Sequence, residues 1–173
     1  MYARPSRQSQ HQPLYTAEER RRRDASPWTV VQGVLAPLQF LVFLASLWLV
    51  LRYLATGDGQ TAATVSIVIK TAVLYAIMIT GSIWEKDVFG KYLFARPFFW
   101  EDVVSMVVLA LHTAYLAALW TGILDVRGQM YLALAAYTTY VVNATQFVLK
   151  LRAARKAQGP ADVSPLGAMG AAK

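Results

Sequence analysis

Four long apolar stretches constrain this chain more than any other feature it has. They run from about Trp28 to Leu54, Thr61 to Trp84, Phe98 to Thr121 and Gln129 to Leu151. Each is near or above the ~20 residues that carry a helix across the hydrocarbon of a bilayer. Strands crossing a membrane would be ~10 residues long and alternate in polarity. The expected fold is therefore all-α: a polytopic membrane protein whose four transmembrane helices form one domain over residues 28–151. Polar segments flank it at 1–27 and 152–173. Composition agrees, because 16% charged residues is well under the roughly 25% of a soluble domain. No soluble segment is long enough to hold a further domain, and neither a dinucleotide-binding glycine motif nor a P-loop occurs. With no cysteine, disulfides, thiolate metal sites and a catalytic thiol are excluded.

The formal charge of +7 suggests an anionic partner, and the placement of the cations favours a membrane surface over nucleic acid. Arg4, Arg7 and Arg20 through Arg23 precede the first span. Lys86, Lys91 and Arg96 lie between the second and third, and Lys150, Arg152, Arg155, Lys156 and Lys173 end the chain. The opposite side has only Arg52 and Arg127. By the positive-inside rule both termini and the middle loop are expected in the cytoplasm. The first apolar run is too long for the core of a cleavable signal peptide and starts after 27 polar residues. Met1 to Pro13 and Gln158 to Lys173 have the composition of disordered tails.

Polar residues inside the spans are the informative ones, because lipid does not require them. Gln32, Gln39, Ser46 and Tyr53 recur every seven residues on one stripe of the first helix, beside the kink expected at Pro37. Gln129, Ala136, Thr139, Asn143, Gln146 and Lys150 share a face of the fourth. Either stripe reads as helix–helix hydrogen bonding or as the lining of a ligand cleft. His112 sits near the middle of the third span, with Glu101, Ser105 and Tyr115 on its face. A neutral histidine there bonds a facing polar group, moves a proton, or ligates a metal that arrives already chelated. Lys70 lies ~13 Å from the nearer end of its helix, which leaves three readings: partial snorkelling, a carboxylate partner, or an anionic ligand.

The acids gather at one membrane face: Glu85 and Asp87 end the second span, and Glu101 and Asp102 begin the third. The two pairs differ physically. First-turn acids after Pro97 complement the helix dipole, which is reason enough for them structurally. At a helix C-terminus the dipole opposes ionisation, so Glu85 is the best candidate for a general acid.

Several of these runs resemble a known family. Gly81-Ser82-Ile83-Trp84-Glu85-Lys86, Val88-Phe89-Gly90, Tyr92-Leu93-Phe94 and Phe98-Phe99-Trp100-Glu101-Asp102 are similar to the vinyl hydratases of bacteriochlorophyll biosynthesis. So are Leu14-Tyr15-Thr16, the Glu18 to Pro27 segment, Leu35-Ala36-Pro37-Leu38-Gln39-Phe40 and Leu111-His112-Thr113-Ala114-Tyr115. The resemblance spans about Leu14 to Arg155. It implies hydration of the C3 vinyl group of chlorophyllide a or 3-vinyl bacteriochlorophyllide a to a 3-(1-hydroxyethyl) group. The membrane implied is a bacterial inner or intracytoplasmic photosynthetic one. No cofactor is expected, since the magnesium chlorin substrate carries its own metal. Besides substrate and bilayer, the expected partners are other enzymes of the pathway or further copies of the chain.

Read onto that chemistry, Glu85 is the expected acid, and Asp102 or Glu101 positions water. His112 ligates the substrate magnesium or bonds a ring substituent. Trp84, Trp100, Phe99, Tyr92 and Tyr115 stack on the macrocycle, with Gln39 and Asn143 as further lining. Lys91, Arg96 or Lys150 holds the free propionate. Two rival readings remain open at this stage: a tetrapyrrole-binding or photosystem-assembly protein without catalysis, and a small proton-coupled exporter. Against the exporter, every acid lies near an interface or in a polar segment.

Overall fold

The computed structural model describes residues 14–157, so the expected disorder of both tails falls outside the described residues. Within them the chain forms five helices: α1 (Ala17–Ala25), α2 (Pro27–Thr56), α3 (Gln60–Phe89), α4 (Phe99–Thr121) and α5 (Val126–Ala157). The last four are long and apolar enough to cross a membrane. Large side chains such as Val30, Leu41, Trp48, Ile79 and Trp120 point outward, as suits helices whose solvent is lipid.

α1 is a feature beyond the four expected spans. Its start is fixed by a capping box: Glu19 N–H donates to Thr16 Oγ1 at 3.2 Å, and Thr16 N–H donates to Glu19 Oε2 at 2.7 Å. Two orphan amides are thereby satisfied at once. Ser26 ends α1, and Pro27 opens α2 at a position where its missing N–H costs nothing. α1 then packs back against α3. Pro37 stands inside a continuous α2.

α2 packs along α3 and α4 along α5, each pair joined by a short turn. The two hairpins meet through α2 and α5, and more sparsely through α3 and α4. Phe43, Val50, Ile67, Val108, Tyr115, Met130 and Tyr137 fill the centre. Phe43 meets the Tyr137 ring edge-on at 5.5 Å.

Polar residues of the first and fourth spans act largely as bridges between helices. Gln32 Nε2 donates to Thr80 Oγ1 at 2.7 Å, and Ser46 Oγ lies 2.7 Å from Ser66 Oγ and 2.5 Å from Tyr137 Oη. Asn143 Nδ2 donates to Ser105 Oγ at 2.8 Å. α3 runs five residues past Trp84, so its final turns carry Glu85 and Asp87 before Gly90 stops it. Gly90 has φ 78°, a conformation a side chain would oppose. It turns the chain into the loop that positions the site.

Candidate active site

The loop after Gly90 folds over two acids and holds both by their carboxylates. Ala95 N–H donates to Glu85 Oε2 at 3.2 Å, and Phe94 N–H donates to Asp102 Oδ2 at 2.7 Å. Aiming two successive amides this way puts Phe94 at φ 60°, in the left-handed region that non-glycine residues enter at a cost of roughly 1–3 kcal/mol. The loop then closes with Phe98 N–H on Ala95 O at 2.9 Å, and Asp102 N–H bonds Phe98 O at the start of α4.

Glu85 is 5% and Asp102 4% exposed, and the successive amides of Phe94 and Ala95 hold one carboxyl each, which gathers the two under the same loop. Of two buried carboxyls set close together, one is disfavoured as an anion by the charge of the other. The helix ends decide which. Glu85 lies in the last turns of α3, where the carbonyl end of the dipole disfavours charge, and Asp102 lies in the first turn of α4, where amides favour it. The helix ends therefore favour a neutral Glu85 beside a charged Asp102.

Glu101 points elsewhere. It forms an ion pair with Lys150 of α5, and Lys150 also donates to Pro97 O. Sequence left Glu101 and Asp102 interchangeable; the fold separates them, one on each side of α4. Lys150, expected as a propionate ligand, is engaged inside the protein.

Aromatic residues surround the acids. Tyr15 stacks on Phe89 at 5.8 Å and Phe98 on Phe147 at 5.8 Å, while Trp84 meets Phe89 and Phe98 edge-on. Trp84 Nε1 donates to Thr29 Oγ1 at 2.9 Å. This cluster packs on itself, and half-buried Trp84 spends its ring edges and its indole N–H on these neighbours. Tyr92, Phe99 and Trp100 are exposed beside it, with Trp100 set against Phe99 at 5.5 Å. Lys91 and Arg96 line a small hollow of about 160 Å³ with Glu19, Phe89, Ala95 and Pro97, directly behind the amide that holds Glu85.

His112, Tyr115 and Gln39 are not part of this assembly. His112 is fully buried, with Nε2 2.9 Å from Lys70 Nζ and Nδ1 2.8 Å from Val108 O. Because Nδ1 faces a carbonyl it carries the hydrogen, which leaves Nε2 to accept from the lysine. Both ring nitrogens are occupied about 15 Å along α4 from Asp102. Lys70 meets no carboxylate among the described residues: its ammonium lies 4.3 Å from the centre of the Tyr140 ring and 5.2 Å from that of Tyr137. Tyr115 is enclosed in the core, and Gln39 is buried with both amide atoms lacking a protein partner among the described residues. The loop amides of Phe94 and Ala95 were invisible in the sequence, since every residue has such a group and only backbone geometry selects these two.

This site occurs in a chain with close relatives of known name. The family model described as 2-vinyl bacteriochlorophyllide hydratase matches residues 15–153. The chain belongs to this family. A protein named 2-vinyl bacteriochlorophyllide hydratase from Rhodobacter capsulatus is 62% identical over 162 residues, covering 94% of this chain and 92% of the relative. Another of the same name, from Cereibacter sphaeroides, is 68% identical over 146 residues, covering 84% and 90%. The 2-vinyl group of these names and the C3 vinyl group are the same substituent. No solved structure matches the chain.

Proposed function

We propose that the Glu85–Asp102 pair is the proton-transfer centre with which this hydratase adds water to the vinyl group of its magnesium chlorin substrate. The observation that carries this reading is a pair of buried carboxyls at opposite helix ends, held by successive amides of one loop. Glu85 gives its proton to the terminal vinyl carbon, so a C–H bond forms there and positive charge develops on the ring-attached carbon. Conjugation spreads that charge over the macrocycle. Water attacks the charged carbon and its released proton goes to Asp102. Return of that proton from Asp102 to Glu85 then restores the starting state. No electrons leave or enter, so the chemistry calls for no redox cofactor, and the magnesium comes with the substrate.

The hollow at Lys91 and Arg96 suits the free propionate, and exposed Trp100, Phe99 and Tyr92 suit the edge of the macrocycle at the membrane surface. We place this end of the bundle and both termini in the cytoplasm, at a bacterial inner or intracytoplasmic photosynthetic membrane, on the asymmetry of Lys and Arg. Other enzymes of the pathway or a second copy of the chain are the natural protein partners there. A tetrapyrrole carrier without catalysis has no use for two buried carboxyls gathered under one loop.

The test is incubation of the purified protein with 3-vinyl bacteriochlorophyllide a, followed by mass spectrometry. Wild type should yield a product heavier by one water, and Glu85→Gln should bind pigment without producing it. Full turnover by Glu85→Gln would remove the assignment.

A further inference from the structure

The acid pair lies at one end of a seam whose other end is open to lipid. Between α3 and α4, Tyr75, Met78 and Ile79 face Leu109 and Thr113 around a cavity of about 320 Å³. Ile79 is 62% exposed on the outer side of the bundle, so the cavity is a groove entered sideways from the membrane interior. Sparse contact between α3 and α4 leaves it unfilled.

Its position follows from helical spacing. Residues 75, 78, 82 and 85 of α3 are spaced by three and four, as are residues 102, 106, 109 and 113 of α4. Each set therefore forms one stripe. Glu85 and Asp102 end these two facing stripes, with half-buried Ser82 and Met106 between them and the groove. The groove lining is apolar except at its far end, where Tyr75 Oη and Thr113 Oγ1 lie 2.8 Å apart. Thr113 Oγ1 donates to Leu109 O at 2.8 Å, so Tyr75 Oη donates to Thr113 Oγ1, and it is this one hydrogen that a ligand with a polar far edge can take over.

We infer that this α3–α4 groove is the seat of the substrate macrocycle, which enters from the bilayer and stands edge-on between the two helices. The inference rests on the acid-pair reading above. With the vinyl-bearing ring at Glu85, the ring carrying the propionate is its neighbour, and the carboxylate falls on the side of Lys91 and Arg96. The opposite edge, which bears a keto carbonyl, then lies deep in the groove. The Tyr75–Thr113 pair is about 15 Å from the acids along the helices, on the scale of the macrocycle with its substituents. Tyr75 Oη turns its hydrogen from Thr113 Oγ1 to the keto oxygen. The placement accounts for three features at once: an apolar slot, cations in the separate hollow beside the acids, and hydroxyls at the end of the slot away from them.

The experiment is pigment titration in lipid nanodiscs with 3-vinyl bacteriochlorophyllide a, followed by absorbance and by turnover. Leu109→Trp fills the groove and should weaken binding at least tenfold. Tyr75→Phe with Thr113→Val removes only hydroxyls. It should weaken binding several-fold and shift the absorption of the bound pigment. The second variant keeps the test decisive if the first fails to fold. Wild-type affinity and spectrum in the hydroxyl variant, with wild-type affinity in any folded Leu109→Trp, would overturn the inference and leave the groove to lipid. Loss of turnover in Glu85→Gln alongside that result would still uphold the acid pair. Weakened binding in the groove variants with full turnover in Glu85→Gln would instead uphold the groove and remove the acid.

Discussion

Replacing Asp102 with asparagine should be as damaging as replacing Glu85 with glutamine, for a reason the geometry supplies. Asp102 Oδ2 accepts the Phe94 N–H at 2.7 Å. In Asp102→Asn that amide still needs an acceptor, so the asparagine oxygen stays on it and Nδ2 turns toward Glu85. An amide N–H donates, and it bonds Glu85 best as a carboxylate. The variant therefore loses its proton acceptor and also strips the proton from its neighbour. Glu85→Gln does the converse: its oxygen keeps the Ala95 N–H, its Nε2 donates to Asp102, and no acidic proton remains. Each single change should cost roughly 10²–10⁴-fold in the chemical step, or about 3–5 kcal/mol at 1.36 kcal/mol per tenfold. Because the two act as a unit, the double variant should cost little more than either alone. The assay is single-turnover hydration of prebound pigment, followed by the loss of vinyl conjugation. Multiplying effects in the double variant, or near-wild-type rates in Asp102→Asn, would refute the shared-proton reasoning.

Hydration of bound pigment should fall as pH rises past the point where the pair loses its proton, since the donor must be protonated; a rate that climbs through that range would contradict it. Lys150→Met leaves Glu101 buried without its cation and should lower stability by about 1–3 kcal/mol, with Glu101→Gln restoring part of it, as read by unfolding in detergent. Tyr137→Phe removes the hydroxyl 2.5 Å from Ser46 Oγ and should cost about 1 kcal/mol of stability while turnover stays within a few-fold of wild type. His112→Ala should leave the relative affinity for magnesium and magnesium-free pigment unchanged, because Lys70 already occupies Nε2. Reporter fusions after Gly59 and after Gly159 should report opposite sides of the membrane.

The four spans were legible because lipid imposes one requirement on every exposed position, and a run of about 20 apolar residues states it without tertiary context. α1 was legible too: Thr16 and Glu19 stand at capping-box spacing before a charged run, a signal easily passed over beside four apolar helices. Glu85 stood out from its place against the helix dipole. Its pairing with Asp102 rather than Glu101 was not readable, because adjacent residues sit about 100° apart on a helix and only the neighbours of α4 decide which face meets α3. The stacking expected of Trp84 and Tyr115 failed to anticipate that these rings fill the protein's own packing. The three readings left open for Lys70, snorkelling, a carboxylate and an anionic ligand, did not include the neighbours it has in the bundle interior, an imidazole nitrogen and two aromatic faces. Hydroxyls such as those of Tyr75 and Thr113 acquire meaning only when two helices bring them within 2.8 Å.

The central claim is that Glu85 and Asp102 hold one proton between them in the resting protein. Infrared difference spectra of membranes without pigment, wild type against each variant, test it directly. The account predicts a protonated-carboxyl band in wild type that persists in Glu101→Gln and disappears in both Glu85→Gln and Asp102→Asn. A band that survives both of those changes, or is missing from wild type, would contradict it.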